Sequence, residues 1–376
     1  IQLKQIIEPL LFWYRANARN LPWRHTTDPY RIWVSEIMLQ QTRVAAVLGY
    51  YERFLRAFPS VHDLANAPEE QLMKLWEGLG YYSRARNLQK AAKTIVNDLN
   101  GEFPNRYSDL LKLSGIGEYT AGAIASSAFG ERVPAVDGNV LRVISRITEN
   151  WEDINDPKTK KMYREILEQV LPKSEEDMRI FNQAMMELGA TVCVPNGEPK
   201  CEICPALFAC LAAQNGTASE LPVKSQKKAR RIENKTVFVL LLDDQIVLHK
   251  RGDNGLLAGL WEFPHLPGKM GMETAIAAVE NIGVKPKEII RQVEKKHIFT
   301  HIEWRMSGIY MEVKGKPADN YRKLGVDLQT PIALAENDFL SLKFRNLADG
   351  NIPLAANSGY KGDIEDPQER EWFLKV

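Results

Sequence analysis

A chain of 376 residues exceeds what one ordinary core fills, so two domains are expected. Charged residues at 26% and apolar residues at 44% exclude a disordered chain, and no apolar run approaches the roughly 20 residues of a membrane helix. A net charge of +1 offers no bulk attraction for nucleic acid, so any such binding must come from local basic clusters and backbone amides.

The first residues, Ile1-Gln2-Leu3-Lys4, lack the charged and then apolar regions of a secretory signal, so an intracellular, cytoplasmic protein is expected. Residues 1 to about 212 read as helices joined by short polar turns. Asp28-Pro29 has the form of an N-cap followed by proline at the first helical position. Apolar residues then recur at three and four spacing over 30–58, with a break near Gly49. The same spacing predicts helices over 71–76, 85–99, 121–129, 140–147 and 181–188. Strand-like alternation is scarce, which makes residues 1–213 an all-α domain.

The four cysteines, Cys193, Cys201, Cys204 and Cys210, all fall within residues 193–210. Thiols packed so closely in a chain with no others read as one metal centre, with two local disulfides as the alternative. Residues 214–235 form a linker with a basic cluster of Lys224, Lys227, Lys228, Arg230 and Arg231. Such a cluster either touches DNA phosphates or is a solvated tether. Residues 236–242 have the pattern of a buried strand, Asp243-Asp244 a turn, and residues 246–249 a second strand. A helix over 273–281 and an alternating strand over 302–313 complete an α+β signature for residues 236–376.

In Leu113-Ser-Gly-Ile-Gly117, Gly115 and Gly117 allow a tight turn just before a helix, whose first amides can hold a DNA phosphate. Alone, this is an ordinary interhelical turn. Downstream, Asp137 sits where the next helix needs its N-cap, and the helix amides there are expected to keep its carboxylate ionised with a low pKa. Alone, it is a plain cap. The Gly-rich hairpin, the trailing Asp and the four cysteines, in that order, resemble the helix–hairpin–helix DNA glycosylase superfamily in its endonuclease III and MutY branches. Bifunctional members use a hairpin lysine as a Schiff-base nucleophile. Tyr119 stands there in this chain and cannot serve, so the resemblance narrows to the monofunctional MutY branch.

The segments Leu21-Pro-Trp-Arg24 and Ser35-Glu-Ile-Met-Leu-Gln-Gln-Thr42 also resemble that branch and single out Glu36. Its helical neighbours Ile32, Trp33, Leu39 and Gln40 make a partly apolar face, on which a carboxyl should stay protonated near neutrality. A glutamate whose stem packs while its head reaches water is the other reading. The resemblance implies hydrolysis of the glycosidic bond of adenine mispaired with 8-oxoguanine or guanine in double-stranded DNA. Glu36 would be the acid and then the base for water, and Asp137 would stabilise the sugar cation. It further implies that Tyr119 and Asn139 line the site, that Trp23, Arg24 and Gln183 surround the flipped adenine, and that Gln41 and Tyr81 wedge into the base stack. A bacterial nucleoid-associated monomer is the implied state.

The resemblance implies a [4Fe–4S] cluster on the four cysteines, with zinc on the same ligands as the alternative. Their spacing is Cys-x7-Cys-x2-Cys-x5-Cys, one residue longer in the first interval than the family's. The second domain resembles Nudix hydrolases through residues 251–264. The Nudix helix needs several carboxylates for magnesium. Ahead of Gly283 this chain offers Ile276, Ala277, Glu280 and Asn281, so a lesion reader is expected in place of a hydrolase. Phe299-Thr300-His301 stands where the family has Phe-Ser-His against 8-oxoguanine. A glycosylase for thymine opposite guanine and a catalytically dead damage sensor are the other functions that these motifs allow.

Overall fold

The structure is a computed structural model that describes residues 2–225, 229–243, 245–252, 255–257, 261–299 and 301–325, with a short strand pair Ser341–Leu342 and Trp372–Phe373. Asp244 of the expected turn and Thr300 of the expected lesion loop lie outside the described residues. The chain divides into two compact units, residues 1–68 with 83–227 and residues 69–82 with 228–376.

The first unit is helical. Its site-building elements are an N-terminal helix Ile7–Asn17, the helix Pro29–Leu39, the hairpin helix Glu118–Phe129, the helix Gly138–Ile147 and the long helix Glu175–Thr191. The hairpin helix packs on both Pro29–Leu39 and Glu175–Thr191, and the last of these also packs on Gly138–Ile147 and Ile7–Asn17. One core joins Leu10 and Leu11, Val143 and Ile144, and Phe181 and Met185, and the half-buried Cys193, Cys204 and Cys210 pack against it. The cysteine loop is therefore built onto the same apolar centre as the helices Ile7–Asn17, Gly138–Ile147 and Glu175–Thr191.

Asp28 caps the Pro29–Leu39 helix by accepting from the Tyr30 amide at 2.9 Å, with Pro29 in its first turn. The break expected near Gly49 falls instead at residues 40–43, and Gly49 lies inside the next helix, Val44–Ala57. The Arg84 guanidinium supplies the physical reason. It donates to the carbonyls of Ile37, Met38 and Gln40 at 2.8, 3.1 and 2.6 Å, satisfying the helix end, and Gln41 then turns the chain at φ +59°. Periodicity carries no trace of a cap donated from a distant helix.

The second unit is a mixed sheet of β1 (Arg231–Leu242), β2 (Gln245–Lys250), β3 (Trp261–Glu262), β4 (His265–Pro267), β5 (Val284–Ile298), β6 (Ile302–Gly315) and β7 (Tyr321–Gly325). The order is β3-β2-β1-β6-β5, with β4 also on β1 and β7 on β2; β1 and β6 run parallel and the other pairs antiparallel. Because β1 is central, both of its faces are covered. Val237 and Val239 join a core with Trp261 and Trp304, while Phe238 and Leu240 meet Ala275 and Val279 of the helix Met272–Asn281. That explains its unbroken apolar run.

Strand β1 starts at Arg231, inside the stretch read as linker, because its backbone pairs with β6 from Arg231↔Ile302 onward. Strand β5 has no sequence signal, since it is an edge strand whose residues are mostly exposed and heavily charged. Among the described residues no helix is long and apolar enough to cross a membrane.

Gly189 of the long helix marks a close approach to the start of Gly138–Ile147. A Cβ there would lie 2.6 Å from Asn139 Cβ and 3.1 Å from its Cα. Gly189→Ala is expected to lower the stability of the helical unit by about 1–3 kcal/mol, read as an earlier midpoint in urea. An unchanged midpoint would mean that the two helices are not held at this distance.

Candidate active site and cysteine centre

A cleft of about 520 Å³ opens in the helical unit, within the usual range for small-molecule sites. Its lining includes eight of the residues expected at the site: Trp23, Arg24, Glu36, Gln41, Tyr119, Asp137, Asn139 and Gln183. Each comes from a different local device. Glu36 stands on the mid-helix face of Pro29–Leu39 and Tyr119 in the first turn of the hairpin helix. Asp137 is the N-cap of Gly138–Ile147, and Gln183 lies on the long helix.

The Glu36 carboxyl is buried, with 9% of the residue exposed. Burial pushes its pKa up to about 7, and the nearby Asp137 adds to the shift. The Tyr119 hydroxyl donates to its Oε2 at 2.6 Å and lies 3.1 Å from Met186 Sδ; that bond and Arg24 oppose the rise. Burial and the Glu36 charge raise the Tyr119 hydroxyl well above its ordinary value, so it stays a donor.

Asp137 Oδ1 accepts from the Asn139 and Val140 amides at 2.9 and 2.8 Å, and Oδ2 from the Asn139 side chain at 2.7 Å. The low pKa expected from these amides is not found. Burial is the larger influence and sets the carboxyl above its ordinary value, with the bonds from Val140 and Asn139 restraining the rise. A cap on an interior helix is desolvated as well as hydrogen-bonded, and sequence showed only the second effect. The segment leading to Asp137 is held by the buried Asn182, which accepts from the Ala135 amide and donates to the Val133 carbonyl and Ser126 Oγ. The Arg142 guanidinium donates to Asn139 Oδ1 at 2.9 Å and to the carbonyls of Gly189 and Cys193 at 2.7 and 2.8 Å. The Asp137 cap is thus tied through Asn139 and Arg142 to the cysteine loop.

Sequence reasoning missed Glu187, whose side chain is fully buried at the cleft. Burial alone would raise its pKa, but hydrogen bonds from Arg19 and Arg24 outweigh it and bring the carboxyl down to about 2. The contacts are Arg19 Nη2 at 2.7 Å and Arg24 Nη2 at 2.6 Å. One sequence signal existed: Glu187 lies four residues after Gln183, on the same helical face. Trp23 is 6% exposed and packs edge-on against Tyr51 at 5.2 Å.

The remaining expected residues lie elsewhere. Gly115 turns the hairpin at φ +76°, where a Cβ would meet Asn87 Cβ at 2.7 Å. Gly117 is extended, caps the hairpin helix without a side-chain bond, and a Cβ there would meet nothing. Tyr81 is exposed at φ +46° and belongs to the second unit. In that unit Phe299 stacks edge-on between His297 at 4.4 Å and Trp304 at 4.8 Å, and the exposed His301 offers its carbonyl to the Arg231 amide at 3.0 Å.

The four cysteines line one cavity, together with Arg146, Ile147, Leu188 and Val192. The longer first interval is taken up in a loop that turns at Gly197, φ +75°, and bonds back from the Lys200 amide to the Val192 carbonyl. No cysteine is in a disulfide. Burial raises the thiols of Cys201, Cys204 and Cys210, Cys204 to about 12. Among the described residues no three His, Cys, Asp or Glu side chains converge as on a single ion.

Residues 34–173 match the HhH-GPD superfamily of base excision DNA repair proteins, and residues 236–339 match the NUDIX domain. An adenine DNA glycosylase of Arabidopsis thaliana is 39% identical, over 81% of this chain and 56% of its own length. One from Buchnera aphidicola is 35% identical, over 81% of this chain and 85% of its own. Among solved structures, a thermostable thymine-DNA glycosylase is similar with a TM-score of 0.52 at 31% identity, over 57% of this chain and 97% of that one.

The raised Glu36 pKa has a consequence for stability. Below pH 4.5 the carboxyl is protonated folded or unfolded; as pH rises toward 7 the unfolded chain gains by ionising and the folded one does not, so stability falls. Glu36→Gln keeps the neutral shape and removes that loss. Its stability gain over the unmodified chain should grow from near zero at pH 4 to about 3 kcal/mol at pH 8, measured by denaturant unfolding. A gain independent of pH would place the carboxyl at its ordinary value.

Proposed function

Because this chain belongs to the adenine DNA glycosylase family of HhH-GPD base excision repair proteins, we propose that it hydrolyses the glycosidic bond of adenine mispaired with 8-oxoguanine or guanine in duplex DNA. The observation that carries the reading is one nucleoside-sized cleft holding a carboxyl raised to about 7 beside a second, helix-capping carboxylate. Adenine leaves poorly as an anion, so an acid must protonate its ring, at N7, as the bond to C1′ breaks. Glu36 carries that proton near neutrality, and its hydrogen bond from Tyr119 fixes which oxygen is free to give it. The sugar becomes cationic as the base departs, and Asp137, held by two amides and Asn139, supplies a fixed negative charge. Glu36, now ionised, takes a proton from the water that attacks C1′.

The adenosine must leave the duplex to reach this cleft. Trp23, Arg24 and Gln183 form the walls that receive it, and Gln41, at a left-handed turn beside the cleft, is placed to enter the vacated stack. The uncapped amides of the hairpin helix after Gly117 suit a backbone phosphate. In the second unit, Phe299, Thr300 and His301 read the oxidised guanine. The likeness of the helical unit to a thymine-DNA glycosylase makes thymine opposite guanine the second substrate to try.

The four cysteines would hold a [4Fe–4S] cluster. Four free thiols lining one cavity fit such a cluster, with one zinc on the same ligands as the alternative. The hydrolysis involves no change of oxidation state, so a group held there would serve to shape the loop that Arg142 and Arg146 grip.

Single-turnover assays on a duplex with adenine opposite 8-oxoguanine should give adenine release, with strand breaks only after alkali. The rate should fall as pH rises through about 7, where Glu36 loses its proton. Glu36→Gln should slow release by at least about 100-fold. Release that is unaffected by that change, or of thymine in place of adenine, would refute the assignment. Iron and acid-labile sulfide should each be found at four per purified chain; one zinc per chain would replace the cluster with a zinc site.

A further inference from the structure

Gln183 reaches the cleft with a side chain that has two different ends, an accepting oxygen and a donating nitrogen. Which end points where decides what base it can recognise. An amide held loosely can turn over and serve a donor or an acceptor alike, whereas a fixed amide accepts one pattern and rejects its inverse.

In this chain both ends are tied. Gln183 Nε2 lies 3.4 Å from the Arg179 carbonyl, which can only accept, and 3.1 Å from Ser127 Oγ. That carbonyl, at a long 3.4 Å, favours the nitrogen on its side, the Ser127 hydroxyl serves either end, and the buried Tyr14 hydroxyl needs an acceptor for its proton. The oxygen is left facing Tyr14, whose hydroxyl lies 2.7 Å from Oε1 and has to be the donor. Tyr14 does not line the cleft itself; it is a buried residue of the N-terminal helix, 6% exposed. Burial raises its hydroxyl above the ordinary value, so the donor proton is retained at neutral pH. The same ring lies 5.5 Å below the Arg24 guanidinium, which is in turn anchored on Glu187. Sequence separation hides this device, since Tyr14 and Gln183 are 169 residues apart.

We propose that Tyr14, with Ser127, is a specificity-determining positioning residue, which locks the Gln183 amide in the one orientation that matches adenine and excludes its deaminated counterpart. Adenine presents an exocyclic amino donor beside a ring acceptor, and hypoxanthine presents an oxo acceptor beside a ring N–H. Gln183 Nε2 spends its two protons on Arg179 and Ser127. What is left for the base is the second lone pair of Oε1, which accepts from the adenine amino group and repels the hypoxanthine oxo oxygen. Removing the Tyr14 hydroxyl leaves Gln183 Oε1 without its donor and lets the amide rotate. The role acts on which base is accepted, while proton transfer from Glu36 is untouched. This inference rests on the reading of the cleft as the adenine pocket.

The test compares single-turnover release of adenine and of hypoxanthine, each opposite 8-oxoguanine, in the full chain. The variants are Tyr14→Phe, Ser127→Ala and Gln183→Met, with each of the first two also combined with Gln183→Met. The ratio of the two rates cancels differences in bond strength and in the fraction of active protein. Tyr14→Phe is expected to cut the adenine-to-hypoxanthine ratio by about tenfold or more, and Ser127→Ala to cut it in the same direction. Neither should change the ratio further once Gln183→Met is present, because there is no amide left to orient. Tyr14→Phe that slows both bases equally, with Gln183→Met still lowering the ratio, would overturn the positioning role and leave the adenine pocket intact. Absence of adenine release by the unmodified chain would remove the pocket reading and this inference with it.

Discussion

Taking the Glu36 carboxyl out of water is the constraint on which the rest of the helical unit turns. A lone carboxylate cannot be buried in an apolar helix interface without either a partner or a proton. Here it has a single hydroxyl partner, Tyr119 at 2.6 Å, and burial outweighs that bond, so a proton is held to about pH 7. Three helices must pack for this to happen. One brings Glu36, the hairpin helix brings Tyr119, and the long helix closes the pocket with Met186. Glu187, on that same long helix, shows the opposite solution at the same depth. It is fully buried, but two guanidinium groups meet its carboxylate and hold it ionised. Two buried glutamates in one cleft are thus driven in opposite directions, Glu36 by burial with a single hydroxyl partner and Glu187 by two guanidinium partners.

The cleft is also tied mechanically to the cysteine loop. Asp137, Asn139 and Arg142 form a chain of hydrogen bonds ending on the Cys193 carbonyl, and Arg146 continues it to Cys193 Sγ at 3.2 Å and the Val194 carbonyl. A change in how that loop is held reaches the Asp137 carboxylate through two side chains, Asn139 and Arg142.

Much of this was legible in the sequence, for reasons that differ by element. The Asp28-Pro29 start, the Asp137 cap and the hairpin helix are written in local residue types, and the structure has each of them. The central strand was readable because both its faces are apolar. The helix break near residue 40 was not, since its cause is Arg84, far along the chain. Edge strand β5 was invisible because it buries little. At the cleft, resemblance named Glu36, Tyr119 and Asp137. It did not name Tyr14, Arg19 or Glu187, whose roles exist only once distant helices meet. The Asp137 pKa was misread because amide bonding is visible in a sequence and desolvation is not.

The central claim, that burial keeps Glu36 protonated to near neutrality beside a second carboxylate, is tested most directly by titrating the Glu36 carboxyl itself. Carbon-13 NMR of side-chain-labelled glutamate, assigned through Glu36→Gln, would follow it in the unmodified chain and in Asp137→Asn. A titration near pH 7 that moves downward in Asp137→Asn, as loss of a neighbouring negative charge requires, is the result predicted. A midpoint near 4.5 in both proteins would contradict it, and with it the division of labour between the two carboxyls.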